Sequence, residues 1–234
     1  MTVGATLTRE SLAALPSRTL SKPGAFRADV RLYDSGGRRF VVKDFAGRAA
    51  PVRATLGRWF ASREARVLER LAGLPAIPGF LGRIDGLAFA MEFVEGEPMG
   101  RGVAARLDAR FFAALEEAIA AMHARGIVHN DLRQRKNLLV GPDGAPRIVD
   151  LAGALDFSRL GAAGRLFQRA FAHADRSAVR KFKARYAPGL LSAAEAAAVR
   201  RDERWRKLWP FDWLSKALRG RKGVRTLFRG GKGS

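Results

Sequence analysis

His129-Asn130-Asp131-Leu132-Arg133-Gln134-Arg135-Lys136-Asn137-Leu138-Leu139-Val140, followed by Arg147-Ile148-Val149-Asp150-Leu151, is the part of the chain from which the rest is read. The carboxylates of Asp131 and Asp150 and the amide of Asn137 stand beside apolar runs short enough to be buried strands, joined by a turn at Pro142-Asp143-Gly144. A carboxylate in a loop can orient a hydroxyl or take its proton. An amide oxygen and a second carboxylate are the hard oxygen donors that a small divalent cation prefers.

Upstream of this stretch the apolar spacing changes to that of a helix. Over 108–124, Phe111, Phe112, Leu115, Ile119 and Met122 form a buried stripe, Asp108 is placed to cap the first turn, and Gly126 follows the end. Further back, Leu81–Ile84 and Leu87–Phe93 flank Asp85-Gly86 as a hairpin, and Glu95-Gly96-Glu97-Pro98 breaks the chain. Residues 54–72 repeat Leu56, Phe60, Ala65, Leu68 and Leu71 at helical spacing. Residues 26–45 are expected to form a hairpin: Val30, Leu32 and Tyr33 on one arm, a turn over Asp34–Gly37, and Phe40-Val41-Val42-Lys43 on the other arm. A helical lead-in over 1–16 would put Leu7, Leu12 and Leu15 on one face. Downstream, 158–187 and 192–209 read as helices, and the Gly- and Arg-rich 220–234 as disordered.

This order of small sheet, helix, hairpin, long helix, loop and hairpin resembles the protein-kinase-like fold, and within it the compact bacterial branch that includes RIO-type and lipopolysaccharide kinases. The resemblance covers about residues 20–200 and is strongest over 119–153. It implies a two-lobed α+β fold: a lead-in (1–16), a sheet lobe with one helix (17–95), a mostly helical lobe (96–200) and a basic tail (201–234). It also implies ATP and Mg²⁺ as cofactors and a hydroxyl-bearing acceptor. By the same resemblance, Lys43 at the end of its strand contacts the phosphates, and a glutamate on the next helix steadies it. Glu64 is the first choice for that partner and Glu69 the runner-up. Asp131 orients the acceptor hydroxyl, His129 braces the loop, and Asn137 and Asp150 hold metal. Met91–Gly96 corresponds to the hinge, where Glu92 and Val94 lie against the adenine. Taken alone, Lys43 is also what an exposed strand-end lysine looks like, and 91–96 a plain strand and turn; the downstream motif favours the functional reading.

The chain departs from the family pattern in three places. Asn137 lies six residues after Asp131, where five is usual. No Gly-x-Gly-x-x-Gly loop precedes the first hairpin; the segment in its place, Ser21–Phe26, has a single glycine, Gly24, with Lys22 and Arg27 able to add charge. The metal strand reads Asp150-Leu151-Ala152-Gly153, and no Ala-Pro-Glu follows. The missing peptide-docking segment favours a sugar or lipid-linked glycan of lipopolysaccharide type over a protein Ser/Thr. The reduced glycine loop keeps open a catalytically silent module that binds nucleotide or a partner.

The bulk properties bound these readings. At 234 residues and 47% hydrophobic, the chain can bury a sizeable core. No apolar run approaches the roughly 20 residues of a membrane span. The absence of cysteine removes disulfides, thiolate nucleophiles and cysteine–zinc sites. With no secretion signal in 1–16, the expectation is a cytoplasmic protein. The net charge of +21 points to polyanions, although a GC-rich genome would also enrich arginine. Trp205, Trp209 and Trp213 lie among clustered Arg and Lys, so 200–232 reads as a peripheral anchor on the anionic inner face of a membrane. The same residues suit packing of Trp205 and Trp209 on the helical lobe with the charges solvated. They also suit RNA stacking, which the lack of any RNA-binding motif disfavours.

Overall fold

A computed structural model describes residues 7–21 and 27–208. The first described element is a one-turn helix, α1 (Arg9–Ala13), capped by Thr8. It continues into strands β1 (Ser17–Ser21), β2 (Asp29–Ser35) and β3 (Arg38–Asp44), then a short turn of helix α2 (Ala50–Val52), a π-turn at Arg53–Gly57 and helix α3 (Arg58–Arg70). Strands β4 (Phe80–Arg83) and β5 (Ala88–Glu92) complete an antiparallel sheet of order β1-β2-β3-β5-β4. The register pairs Ser35 with Arg38, so the hairpin turn is Gly36-Gly37, both with positive φ (63° and 84°). A two-residue turn of that hand matches the twist of the strands and needs residues without a Cβ.

Alternation along β3 sorts its side chains. Phe40 and Val42 face a small cluster with Leu12, Tyr33, Ala88 and Ala90, against which Leu7 and Leu15 pack, so the lead-in helix covers that side. Val41 faces the main core with Leu32, Phe89, Met91 and, from α3, Ala61, Ala65 and Leu68. Lys43 is two residues beyond Val41 and therefore leaves the strand on the α3 side.

The second part begins with β6 (Glu97–Pro98) and a 3₁₀ helix at Arg101–Arg106, then α4 (Ala109–Ala124) and β7 (Ile127–Val128). β8 (Leu138–Val140) and β9 (Pro146–Ile148) follow, then β10 (Leu155–Asp156), α5 (Gly161–Tyr186) and α6 (Ala193–Leu208). β8 is central between β6 and β9, while β7 pairs with β10. Asp108 caps α4 through the Phe111 amide at 2.8 Å, and the expected five-residue apolar stripe of α4 is buried. Gly126 has φ +80°, and a Cβ there would sit 2.9 Å from the Ser158 backbone. The mixed α+β architecture is the one expected.

Several expected elements change. The helix expected over 54–72 becomes α2, the π-turn and α3; Leu56 falls in the π-turn and is exposed, since the extra residue per turn rotates it off the apolar stripe. The strand expected over 147–151 ends at Ile148, because Asp150 adopts left-handed backbone (φ 64°, ψ 67°). The lead-in helix is shorter within the described residues. Strands β1, β6, β7 and β10 carry too few apolar residues, or are too short, for a period to show. Lys22, Gly24, Trp209, Trp213 and the Gly/Arg-rich end lie outside the described residues.

Candidate active site

Lys43 and Glu64 are both buried, at 7% and 3% exposure, and Lys43 Nζ donates to Glu64 Oε1 at 2.6 Å. α3 delivers Glu64 from the same face as Ala61, Ala65 and Leu68, so the helix packing that fills the core also brings a carboxylate to the lysine. Glu69 points away and pairs with Arg83 at 3.2 Å, which removes it as the partner of Lys43. Lys43 Nζ also donates to Asp150 Oδ1 at 3.3 Å, and Lys136 Nζ to Asp150 Oδ2 at 3.3 Å. Asp150 is thus held between two ammonium groups, and its left-handed backbone aims the carboxylate back toward the sheet.

The electrostatics follow this geometry. Burial pulls the Lys43 ammonium down, but the carboxylates of Glu64 and Asp150 together outweigh it and raise its pKa above the usual lysine value. Lys43 holds the Asp150 carboxyl well below the usual range, against burial and with help from Lys136. Burial pushes Glu64 up, and Lys43 offsets that only in part.

The loop from His129 to Asn137 is built differently. Asp175, on α5 and 1% exposed, accepts the backbone N–H groups of His129 (2.8 Å) and Asn130 (2.9 Å) and sits 3.0 Å from His123 Nε2. Asn130 takes positive φ (65°), turning the chain so that consecutive amides converge on one carboxylate. His129 is fully buried; its Nδ1 accepts from the Asp131 amide at 3.3 Å, which leaves Nε2 to donate to the Val149 carbonyl at 3.1 Å. The imidazole therefore ties the loop to the strand that leads into Asp150.

The additional residue before Asn137 is absorbed by two successive tight turns. Gln134 N bonds Asp131 O at 3.3 Å and Asn137 N bonds Gln134 O at 3.0 Å. Asn137 Nδ2 then returns to Asp131, donating to its main-chain oxygen at 3.0 Å and to Oδ2 at 3.3 Å, while Gln134 Nε2 also donates to Oδ2. With its amide nitrogen committed, Asn137 exposes one acceptor: Oδ1 is buried and has no hydrogen-bond partner among the described residues. A buried amide oxygen without a donor is costly, and a divalent cation is one partner that would satisfy it. Asn137 Oδ1 and the Asp150 carboxylate are oxygen donors of the kind Mg²⁺ takes, so the residues present fit that ion.

Glu92 is tied to the neighbouring strand: its amide donates to Gly79 O at 2.8 Å and its carboxylate accepts from Gly79 N at 3.1 Å. Val94 is half-buried in the link between β5 and β6. Residues absent from the sequence reading also shape the site. Arg63, beside Glu64, donates to the carbonyls of Ala152 (3.0 Å) and Ala154, so α3 grips the segment after Asp150. Lys181 donates to the Arg133 carbonyl at 3.0 Å, and Arg133 to Ser177 Oγ at 2.7 Å. Asp175 was the accessible omission, since it is the single acid between Phe157 and Lys181, in a helix otherwise rich in arginine and alanine.

No family model matches the chain, and no curated protein matches its sequence. Among solved structures, the fold is similar to that of the Rio2 kinase from Chaetomium thermophilum, determined as an ADP/Mg²⁺-phosphoaspartate complex. The TM-score is 0.56 at 18% identity, over 79% of this chain and 59% of that one. At that identity the likeness is one of fold: the chain has a protein-kinase-like fold and spans about three-fifths of the matched kinase's length.

Proposed function

We propose that the protein is an ATP-dependent phosphotransferase that moves the γ-phosphoryl group to a hydroxyl. The observation that carries this reading is the meeting of Lys43, Glu64 and Asp150 in one ionic cluster, beside an Asn137 whose Oδ1 lacks a donor. Lys43, steadied by Glu64, is the cation for the nucleotide phosphates. Asn137 and Asp150 would hold Mg²⁺, which when bound neutralises charge on the phosphates. Asp131, its Oδ2 fixed by Gln134 and Asn137, orients the acceptor hydroxyl and takes its proton. His129 and Asp175 act on the loop rather than on the reactants. Positioning and charge stabilisation account for most of such a transfer. The Gly24 and Lys22 segment and the hinge at Glu92 and Val94 complete the nucleotide site in this reading.

The favoured acceptor is a lipopolysaccharide-type sugar or lipid-linked glycan, ahead of a protein Ser/Thr, because the chain has no Ala-Pro-Glu docking segment. A second reading, a nucleotide-binding module without turnover, draws on Lys136, which occupies the Asp150 oxygen that a cation would take. The test is transfer of labelled γ-phosphate from ATP into a cell extract, separated afterwards into lipid and protein fractions, with Asp131→Ala as control. Label in lipid that vanishes in the variant supports the glycolipid acceptor, and label in protein supports Ser/Thr. ATP binding without variant-sensitive label in lipid, protein or soluble fractions would replace phosphotransfer by the silent module.

A further inference from the structure

The two oxygens of Asp150 are held by unlike partners. Oδ1 meets Lys43, whose side chain is 8% exposed and is fixed by Glu64 at 2.6 Å. Oδ2 meets Lys136 at 3.3 Å, and that side chain is 50% exposed. An exposed pair of this kind is weak, so Lys136 is the ammonium that can leave. The tight turn Arg135–Asn137 also puts Lys136 directly before Asn137, whose Oδ1 is buried and has no hydrogen-bond partner among the described residues. Of the two oxygens best placed to take a metal, one thus lacks a partner and the other is paired with a cation of the chain itself. The neighbouring Arg135 takes another course: it is exposed, and its Nη1 lies 3.9 Å from where a Cβ would stand on Gly100.

Charge bears on how a metal could enter. Glu64, Lys43, Asp150 and Lys136 cancel in formal charge, and Asp131 adds one negative charge next to Asn137. A divalent cation arriving alone would displace Lys136 with no further anion to receive it, in a chain of net charge +21. A divalent cation arriving on a nucleotide brings that anion. Oxygens that share one Mg²⁺ are close neighbours, and a lysine carries its donors on a flexible stem. Lys136 then needs only to exchange a carboxylate for a phosphate.

We propose that Lys136 is a place-holding cation: it occupies Asp150 while the site holds no nucleotide, yields that oxygen when metal enters, and passes to the phosphates. It sets the order of binding, metal together with nucleotide rather than metal first. The inference deepens the phosphotransferase reading and rests on it for the nucleotide. It differs from the silent module, in which Lys136 would stay on Asp150 and keep the metal out.

The test is calorimetric titration of the whole chain at low salt, with Mg²⁺ alone and with an ATP analogue that cannot transfer its γ-phosphoryl group, the analogue with and without Mg²⁺. Lys136→Ala should bind Mg²⁺ alone about two- to fivefold more tightly, because the carboxylate is freed. The same variant should bind the Mg²⁺–analogue complex about tenfold more weakly, because one charge-assisted contact to phosphate is lost. Lys136→Arg should restore the second affinity, since it keeps the charge. Opposite signs in one variant are not what the loss of a structural contact gives. Arg135→Ala removes the same charge one residue away and should leave both affinities nearly unchanged; shifts matching those of Lys136→Ala would overturn the proposal in favour of general surface charge. Tighter binding of both Mg²⁺ and the complex by Lys136→Ala would overturn it in favour of a blocking lysine. Weaker or unchanged binding of both would overturn it in favour of a structural or idle one. A wild type that binds the analogue in neither form would overturn the proposal together with the phosphotransferase reading. Wild-type binding of the complex without the opposite-sign shift in Lys136→Ala would sink the place-holding role alone.

Discussion

The two halves of the candidate site are held by different physics. On the sheet side, Lys43, Glu64, Asp150 and Lys136 are joined side chain to side chain by charge, so their arrangement depends on protonation and on the presence of every partner. On the loop side, Asp131 and Asn137 are placed through the backbone: Asp175 holds two amides, His129 bridges the loop to Val149, and two tight turns bring Asn137 back to Asp131. The ionic half can rearrange when a cation or a phosphate arrives, since both exchange partners with ammonium and carboxylate groups. The backbone-held half cannot move without breaking buried hydrogen bonds. A site built this way would keep the acceptor carboxylate fixed and leave the nucleotide side adaptable.

The sharpest way to break this comparison is at Asp131. Asp131→Ala should lower turnover about 10²–10⁴-fold with only a small shift of the denaturation midpoint, because Asn137 Nδ2 keeps the Asp131 main-chain oxygen and Asp175 and His129 still hold the loop. A large loss of stability would show that Asp131 is part of the scaffold after all.

Lys43→Ala should do the reverse in stability. It leaves the Glu64 carboxylate buried without its cation, and breaking a buried pair from one side costs about 3–5 kcal/mol. The sign with pH is definite. Glu64 already titrates above the usual carboxylate range because of burial, and loss of Lys43 raises it further. The deficit at neutral pH should therefore shrink as acid protonates Glu64, and Lys43→Met/Glu64→Leu should recover most of it. Urea denaturation from pH 5 to 8 measures both, and a pH-independent deficit would contradict the ionic account. In the wild type, Asp150 works in the opposite direction: its pKa is depressed, so its contribution is present above the ordinary aspartate value and fades only as pH falls toward the folded-state value.

Asp175→Ala should fall between these. One buried and one part-buried amide lose their acceptor, which costs about 1–3 kcal/mol, and turnover should fall because the loop loosens. Unlike Lys43→Ala, the loss should be insensitive to salt, since the main acceptances are from backbone amides. The smallest effect belongs to Lys136→Ala. Lys136 is half exposed, and such pairs contribute about 0–1 kcal/mol. Because it vacates an Asp150 oxygen, the expected change is tighter Mg²⁺ binding, read by titration with the protein free of nucleotide; unchanged or weaker binding would argue that Lys136 does not compete for the carboxylate.

The legible parts of the molecule were those whose signal is local. Asp108 and the stripe from Phe111 to Met122 predict α4 because cap and period lie within one helix. A turn over Asp34–Gly37 between two apolar arms predicts the hairpin, and the structure narrows the turn to Gly36-Gly37 because Asp34 and Ser35 pair with Arg39 and Arg38. Asp131, Asn137 and Asp150 stand out as oxygen-bearing side chains beside short apolar runs, and the roles proposed for them come from the resemblance. The sequence put Glu64 ahead of Glu69 as the partner of Lys43, and the structure pairs them, but it did not reveal that Arg63 grips Ala152 and Ala154, or that Asp175 carries the loop from 45 or 46 residues away. Those contacts are settled by how helices lie on a sheet and on each other, and a local pattern holds no record of crossing angles.

The sequence by itself thus determined the longer elements and the chemical character of the candidate residues, because both are written in short-range periodicity and side-chain type. The tertiary structure alone decided who holds whom. It confirmed Glu64 over Glu69 by turning one into the core and the other onto Arg83, stranded the Asn137 oxygen by spending its nitrogen on Asp131, and left Leu166, Phe167 and Phe171 of α5 exposed. Each is a consequence of burial, and burial exists only once distant segments share one core.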